Sequence, residues 1–552
     1  MMNIDPKSGH HAIFIPIKRP LVRWLVLILL GLGLLFRVAN LDQRIYWVDE
    51  VATSIRVAGY TREEVTQTLA NGEVWAIAPI QHYQQLTSER GWADTLDALR
   101  QSPEHAPLYF ILARLWVQLF GSSVVAIRSL SVICSLMALP CFYWLAVELF
   151  KSPLVGWMAI GLLSVSPFFV AYAQEARPYS LWSVTVLLSG IALLQALRLN
   201  TRTRWGLYAL TLTLTLYTSL LSVFVALGQG LYVAGMAWSA SSFQSKGLMR
   251  RYWAATGVAI LAFSPWLMVI AHHWTMLQDN TTWARSPLNP LAMVAIWLYS
   301  LAVIVFDVSV SVDLSIETVA KGIMASVVLG IMGYAVYWLW MTASRRTGLF
   351  VILLIISTPA ALISLDLIRG GQASATPRYL IPCQLGMLLS VAYFLSDRLT
   401  SFSRQRMILG ITGLWVTLSL WSCVGNLNRT PDYQKARNQA NPAIAAILNQ
   451  APASILIAEP EYAMDVVSLS YALNSDLRIQ IVSADNAVFE QGHEYKYDNS
   501  VFILNPSDAL RRRIERGDRF DVEKVYQPEL LTPDDVHLSL WKLQLDSNPE
   551  SR

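Results

Sequence analysis

At 552 residues, 54% hydrophobic and only 14% charged, the chain is too apolar for an ordinary soluble protein. Repeated apolar runs near 20 residues, separated by short polar loops, read instead as a polytopic α-helical membrane protein. The net charge of +4 is small and the basic residues sit mostly in loops between apolar runs, the topogenic distribution, so nucleic acid is set aside as a partner.

The first apolar run, 20–39, lacks a small-residue cleavage site and reads as a retained anchor. A loop over 40–123 follows, too long for a mere connector. It opens with Tyr46-Trp47-Val48-Asp49-Glu50, after which Val51, Ile55 and Ala58 share one helical face and Gly59 makes a stop. That pattern puts Asp49 at a helix N-cap, where Asp is among the favoured residues. Adjacent residues do not share a helix face, so Asp49 and Glu50 are expected to do different work: one facing a pocket, the other orienting a cation or a neighbour. Further on, His105 in Pro103-Glu104-His105-Ala106-Pro107 suits phosphate or metal binding, or a solvated turn.

Eight further runs read as spans, at 124–149, 153–173, 179–197, 252–271, 320–342, 348–367, 378–396 and 406–425. The 205–238 stretch lies between two basic loops (Arg198, Arg202, Arg204; Lys246, Arg250, Arg251), which requires a hairpin turning near Thr218-Ser219. With Lys7, Lys18, Arg19, Lys151, Arg345, Arg346, Arg398, Arg404 and Arg406 inside, eleven spans result and the N-terminus is cytoplasmic. Two shorter apolar segments, 107–120 and 291–306 (the latter followed by Asp307, Asp313 and Glu317), are read as lying along the outer face; a thirteen-span arrangement lets both cross. Cys134, Cys141 and Cys383 lie inside apolar segments and Cys423 near the end of one, the pattern of packing thiols.

From about 426 the chain changes character. Short β-like runs at Ser454–Ala458, Arg478–Val482, Val501–Leu504 and Leu538–Leu543 alternate with helical patterns such as Asp508–Arg516. The division is therefore a membrane domain over 1–425 and a small extracytoplasmic α/β domain over 426–552, to which no chemistry is assigned.

Charge bookkeeping brings three distant fragments to one membrane face: the Asp49-Glu50 motif, Gln174-Glu175-Ala176-Arg177-Pro178-Tyr179 and Pro377-Arg378-Tyr379. Glu175 and Arg177 at a span end read either as a loop anchor or as a phosphate ligand with its positioning partner. Arg378 beside Tyr379 reads either as an interfacial anchor or as a guanidinium at a helix start suited to phosphate. His272, His273, Arg285, Trp274 and Trp283 populate another external loop, where aromatic faces suit sugar rings and also suit the interface.

The order Trp47-Val-Asp-Glu, His105-Ala-Pro-Leu-Tyr, Phe120-Gly-Ser-Ser and Ile127-Arg-Ser resembles the N-terminal module of the GT-C integral-membrane glycosyltransferases, of the protein O-mannosyltransferase and aminoarabinose-transferase type. Ser166-Pro-Phe-Phe-Val-Ala-Tyr-Ala-Gln-Glu-Ala-Arg-Pro-Tyr179 resembles the matching segment of bacterial relatives. The resemblance covers roughly 20–400 and implies an acidic catalytic centre at Asp49 and Glu50. Many relatives carry His-Pro-Pro-Leu where this chain has His105-Ala106-Pro107-Leu108, a departure at His105. The implied reaction moves a monosaccharide from a polyprenyl-phosphate sugar to a protein, lipid or envelope-glycan hydroxyl outside the plasma membrane, with inversion. Arg177 and Arg378 then bind the phosphate, with His105, Glu175, Tyr179, Tyr379 and His272 as further substrate contacts. No cofactor is required, and a divalent cation is compatible. A transporter or lipid flippase, and a lipid-linked-sugar polysaccharide polymerase, are the competing readings.

Overall fold

The computed structural model describes residues 19–238, 242–307, 315–399, 405–431, 434–451, 453–483, 500–516, 520–528 and 538–545. Of the residues that set the topology, Lys7, Lys18, Asp313 and Arg404 lie outside these.

Every apolar run read as a span is helical. Seven described helices are long and apolar enough to cross a membrane, and a bent pair makes an eighth. The 205–238 stretch is a hairpin of helices Arg202–Thr218 and Ser222–Trp238, the turn falling at Ser219–Leu221. Leu108–Phe120 and Pro290–Ala302 are short apolar helices. The chain is thus a multi-pass helical membrane protein with a small sheet near its C-terminus.

One apolar run departs from a simple span. Residues 153–173 form two helices, Pro153–Ser164 and Pro167–Ala173, bent by 62°. Pro167 has no N–H to continue the first helix, so carbonyl groups before it lose their intrahelical partners. Arg37, fully buried, compensates: its guanidinium donates to Ser164 O at 2.5 Å, Leu163 O at 3.3 Å and Ser135 Oγ at 2.9 Å. An arginine inside an apolar core and a broken helix are therefore one feature.

The long first loop folds into five helices, among them Val48–Ala58 and Leu108–Phe120, plus one three-residue strand. That strand, β1 (Val74–Ala76), joins five from the C-terminal region: β2 (Ile455–Ala458), β3 (Arg478–Ile481), β4 (Val501–Leu504), β5 (Phe520–Tyr526) and β6 (Leu540–Leu545). The order is β1-β3-β2-β4-β6-β5, with β3-β2-β4 parallel and the flanking pairs antiparallel. The sequence pattern anticipates four of these strands and misses β1 and β5. The sheet therefore staples the first loop to the C-terminal region, and both lie at the end of the bundle where the three motifs meet.

Candidate active site

The helix Val48–Ala58 is buried from Glu50 to Ala58 and ends at Gly59, whose φ of 97° requires the left-handed region. The expectation that Asp49 caps this helix is corrected. The helix begins two residues earlier, with Trp47 at the N-cap and no side-chain cap of its own. The cap comes from far along the chain, where Asn438 Oδ1 accepts from the Val48 N–H at 3.0 Å. The Asp49 carboxylate lies instead beside two guanidinium groups.

Glu50 is fully buried and saturated. Its Oε1 accepts from Arg128 Nε at 2.7 Å and from the Ala176 N–H at 2.9 Å. Its Oε2 accepts from Arg128 Nη2 at 2.7 Å and Lys435 Nζ at 2.8 Å. Burial pushes this carboxyl up, but the Arg128 and Lys435 charges outweigh it and hold it at about 2. Arg128 also donates to Leu41 O, Arg44 O and Ile45 O, so one guanidinium fixes the chain that leads into the motif.

Asp49 is placed differently. Its side chain is 30% exposed, and its Oδ2 lies 3.8 Å from both Arg177 Nη2 and Arg378 Nη2. These are ionic contacts longer than hydrogen bonds, so the carboxylate keeps its acceptor sites. Arg177 is buried and donates to Asp49 O at 3.3 Å and Thr53 Oγ1 at 3.2 Å. Burial opposes its charge, yet Asp49, Tyr179 and Glu175 raise its pKa above the ordinary arginine value. The Arg378 guanidinium sits among the rings of Trp47, Tyr379 and Tyr179, at 5.5, 5.7 and 5.9 Å. Arg177 Nε, Arg378 Nε and Trp47 Nε1 are buried with no hydrogen-bond partner among the described residues. Two guanidinium groups thus flank the partly exposed carboxylate, and three aromatic rings surround the second of them.

Glu175 stands behind this group, fully buried, accepting from Gln434 Nε2, with its Oε1 unpartnered among the described residues. Burial pushes its carboxyl up to about 7, with Lys435 and Arg378 opposing and Glu50 and Asp49 assisting. His105 lies 3.6 Å from Glu104 Oε1 and packs beside Phe110. Burial, then the cations Arg56, Arg177, Arg62 and Arg378, push its pKa well below the ordinary histidine value, so it is neutral at pH 7. His272 stands apart: it ends helix Ser242–His272, exposed, with its ring against His273. The same loop reaches the site further on, where Asn280 Nδ2 donates to Glu104 Oε2 at 3.1 Å and the Trp283 ring lies 6.3 Å from Tyr379.

The acidic pair does not fit a resident divalent cation. Glu50 spends both oxygens on four hydrogen bonds and Asp49 faces two guanidinium groups. Among the described residues no three His, Cys, Asp or Glu side chains are placed to hold a metal. Sequence reasoning left Arg128, Gln434, Lys435 and Asn438 without roles. Arg128 carries a usable signal, a charge inside an apolar run, which calls for a buried opposite charge. Lys435 carries none, because Gln434-Lys435-Ala436-Arg437 reads as a solvated loop.

Residues 104–269 match the family of dolichyl-phosphate-mannose-protein mannosyltransferases. The crystal structure of ArnT from Cupriavidus metallidurans bound to undecaprenyl phosphate is similar over 94% of this chain and 97% of that one, with a TM-score of 0.52 and 12% identity. This is the GT-C fold. The apo ArnT structure gives the same picture, with a TM-score of 0.50 at 11% identity, covering 95% of this chain and 98% of that chain. The Archaeoglobus fulgidus oligosaccharyltransferase is more distant, with a TM-score of 0.47 at 11% identity over 84% of this chain and 65% of that one. No curated protein sequence matches the chain. The GT-C resemblance drawn from the sequence motifs is borne out by the fold.

Proposed function

We propose that this GT-C protein is an inverting glycosyltransferase, moving a monosaccharide from a polyprenyl-phosphate sugar to a protein, lipid or envelope-glycan hydroxyl on the outer face of the plasma membrane. The observation that carries this reading is the Asp49 carboxylate, partly exposed and 3.8 Å from each of two guanidinium groups that keep unpartnered N–H donors. A base beside a ready anion site is what such a transfer needs.

The donor's tail lies among the spans and its phosphate against Arg177 and Arg378. Asp49 takes the proton of the acceptor hydroxyl as that oxygen attacks the anomeric carbon from the face opposite the phosphate. The bond from the anomeric carbon to the phosphate oxygen breaks, and the phosphate leaves with its electron pair. A phosphate leaves without protonation, so no second carboxylic acid is required, in contrast with most glycosidases. The two guanidinium groups stabilise the growing negative charge where it appears. One displacement inverts the anomeric centre. Tyr179 and Tyr379 offer ring faces to the sugar, neutral His105 offers a hydrogen bond rather than a charge, and Glu175 supports the Arg177 loop from behind.

The undecaprenyl phosphate bound by ArnT supports a lipid phosphate as the carrier. Flanking charge supports the outer face for the motifs, the first loop and the sheet. The test is transfer of labelled sugar from a panel of synthetic polyprenyl-phosphate sugars by the purified protein in nanodiscs. Product with inverted configuration is the expected result. No transfer from any donor by folded protein overturns the reading and favours a transporter.

A further inference from the structure

The motif carrying Asp49 is held from behind by the C-terminal region through four separate bonds. Lys435 Nζ donates to Glu50 Oε2 at 2.8 Å and to Ile45 O at 2.6 Å. Ser468 Oγ donates to Tyr46 O at 2.7 Å, and Asn438 Oδ1 accepts from the Val48 N–H at 3.0 Å. Asn438 is itself oriented by Asp465, to which its Nδ2 donates at 3.0 Å, and Arg437 makes a two-point pair with the same carboxylate. All four bonds fall on residues 45–50, and none touches the Asp49 side chain. Lys435 adopts φ 60° and ψ 27°, a left-handed conformation that residues with a Cβ rarely take, and its side chain is buried. A lysine held so, far from solvent, spends its ammonium on Glu50 and Ile45.

Resting on the transferase reading above, we infer that Lys435 is a positioning residue of the transfer reaction: through Glu50 and Ile45 it fixes the acidic loop so that Asp49 faces the two guanidinium groups. The C-terminal region is then a working part of the active site. Other ways for it to act, such as acceptor recognition by the sheet, require nothing of Lys435.

The ammonium is faced by Glu50 from the first-loop helix, by Arg128 from helix Val124–Phe150 and by Glu175 from the turn before Tyr179. Burial and Arg128 bring its pKa down to about 8, against the opposing pull of Glu50 and Glu175. Wild type is therefore expected to lose turnover as pH rises through about 8, when the charge that holds Glu50 is lost. The full-length protein in nanodiscs is compared with Lys435→Met, Lys435→Arg and Asn438→Ala, in sugar transfer at pH 6–9.5 and in hydrogen exchange of the amides of residues 46–53. Lys435→Met is expected to lower kcat roughly 10- to 100-fold, as removal of a supporting partner does, with donor KM changed less than threefold. Its alkaline limb disappears, while Lys435→Arg keeps turnover to higher pH than wild type. Both Lys435→Met and Asn438→Ala exchange faster over residues 46–53. Wild-type kcat, pH profile and exchange in Lys435→Met overturn the inference. If Lys435→Met does not fold, Lys435→Arg decides in its place: an alkaline limb unmoved from wild type there overturns it. Absence of transfer by wild type defeats the transferase reading alone, and the exchange data then judge whether Lys435 holds the loop.

Discussion

Asp49 and Glu50 show how one helical step divides two identical charges. Adjacent residues on a helix point about 100° apart, so one carboxylate enters the core while its neighbour faces outward. Glu50 gives up all freedom to two buried cations, and Asp49 stays available. Glu50→Gln leaves Arg128 and Lys435 buried without their counter-charge, a loss of about 3–5 kcal/mol by analogy with other broken buried pairs. A large drop in the thermal midpoint of the purified protein is the expected outcome. Glu175 behaves oppositely. Its folded pKa is raised from the ordinary 4.5 to about 7, so the folded state holds a proton that the unfolded chain has released. The stability this contributes is present below about 4.5 and is lost as pH rises to about 7. Glu50, held at about 2, does not titrate in that window. The thermal midpoint of wild type should therefore fall relative to that of Glu175→Gln between pH 5 and 7, a comparison in which the opposite trend from His105, whose pKa is lowered in both proteins, cancels. The unlike fates of Asp49 and Glu50 were legible from helix geometry. Which one turned inward was not, because that depends on Arg128 and on Lys435, the latter 385 positions away from Glu50.

At the scale of elements, apolar periodicity and flanking charge located every helix of the bundle and the hairpin at Ser219–Leu221. They did not locate the break at Pro167, since its cost is absorbed by Arg37 from another helix. Nor did they find β1, too short at three residues to show a period, or β5, where Lys524 breaks the alternation of Phe520 and Val522 with Asp521 and Glu523 at a register shift between Lys524 and Tyr526. A helix stop that was legible also offers a test. Gly59 has φ 97°, and a Cβ there would meet the Asp94 and Arg90 Cβ atoms at 3.0 and 3.2 Å. Gly59→Ala combines a disfavoured backbone with a tight contact, and about 1–3 kcal/mol of stability is expected to go. The same thermal assay checks it, and an unchanged midpoint would mean that the loop tolerates a shift at the end of the motif helix.

For the whole molecule, regions far apart in sequence meet at one end of the helical bundle, where the proposed reaction takes place. The first loop brings the carboxylate, two span ends bring the guanidinium groups, and the C-terminal region backs the motif and shares a sheet with the first loop. This arrangement demands that all of them lie on one side of the membrane. Single cysteines at exposed Glu63, Ser286 and Asp476 should react with a membrane-impermeant maleimide from outside intact cells, and those at Arg202 and Arg345 only after lysis. The four native cysteines are buried or half-buried and leave a low background. Labelling of Asp476 from the opposite side to Glu63 would break this arrangement. Flanking charge assigns these regions to one face, but the sequence pattern reads the C-terminal region as a separate unit, because no local pattern records a bond between Lys435 and Glu50.

The central claim is that Asp49, facing Arg177 and Arg378, is the group that activates the acceptor. The most direct test is single-turnover sugar transfer from a saturating polyprenyl-phosphate sugar by wild type and Asp49→Asn in nanodiscs, with donor binding measured in parallel. Asp49→Asn is expected to bind donor at least as tightly as wild type, one negative charge having left the anion site. Its chemical step is expected to slow by about 100- to 10,000-fold, the range for removal of a general base. Transfer at the wild-type rate by Asp49→Asn would contradict that claim.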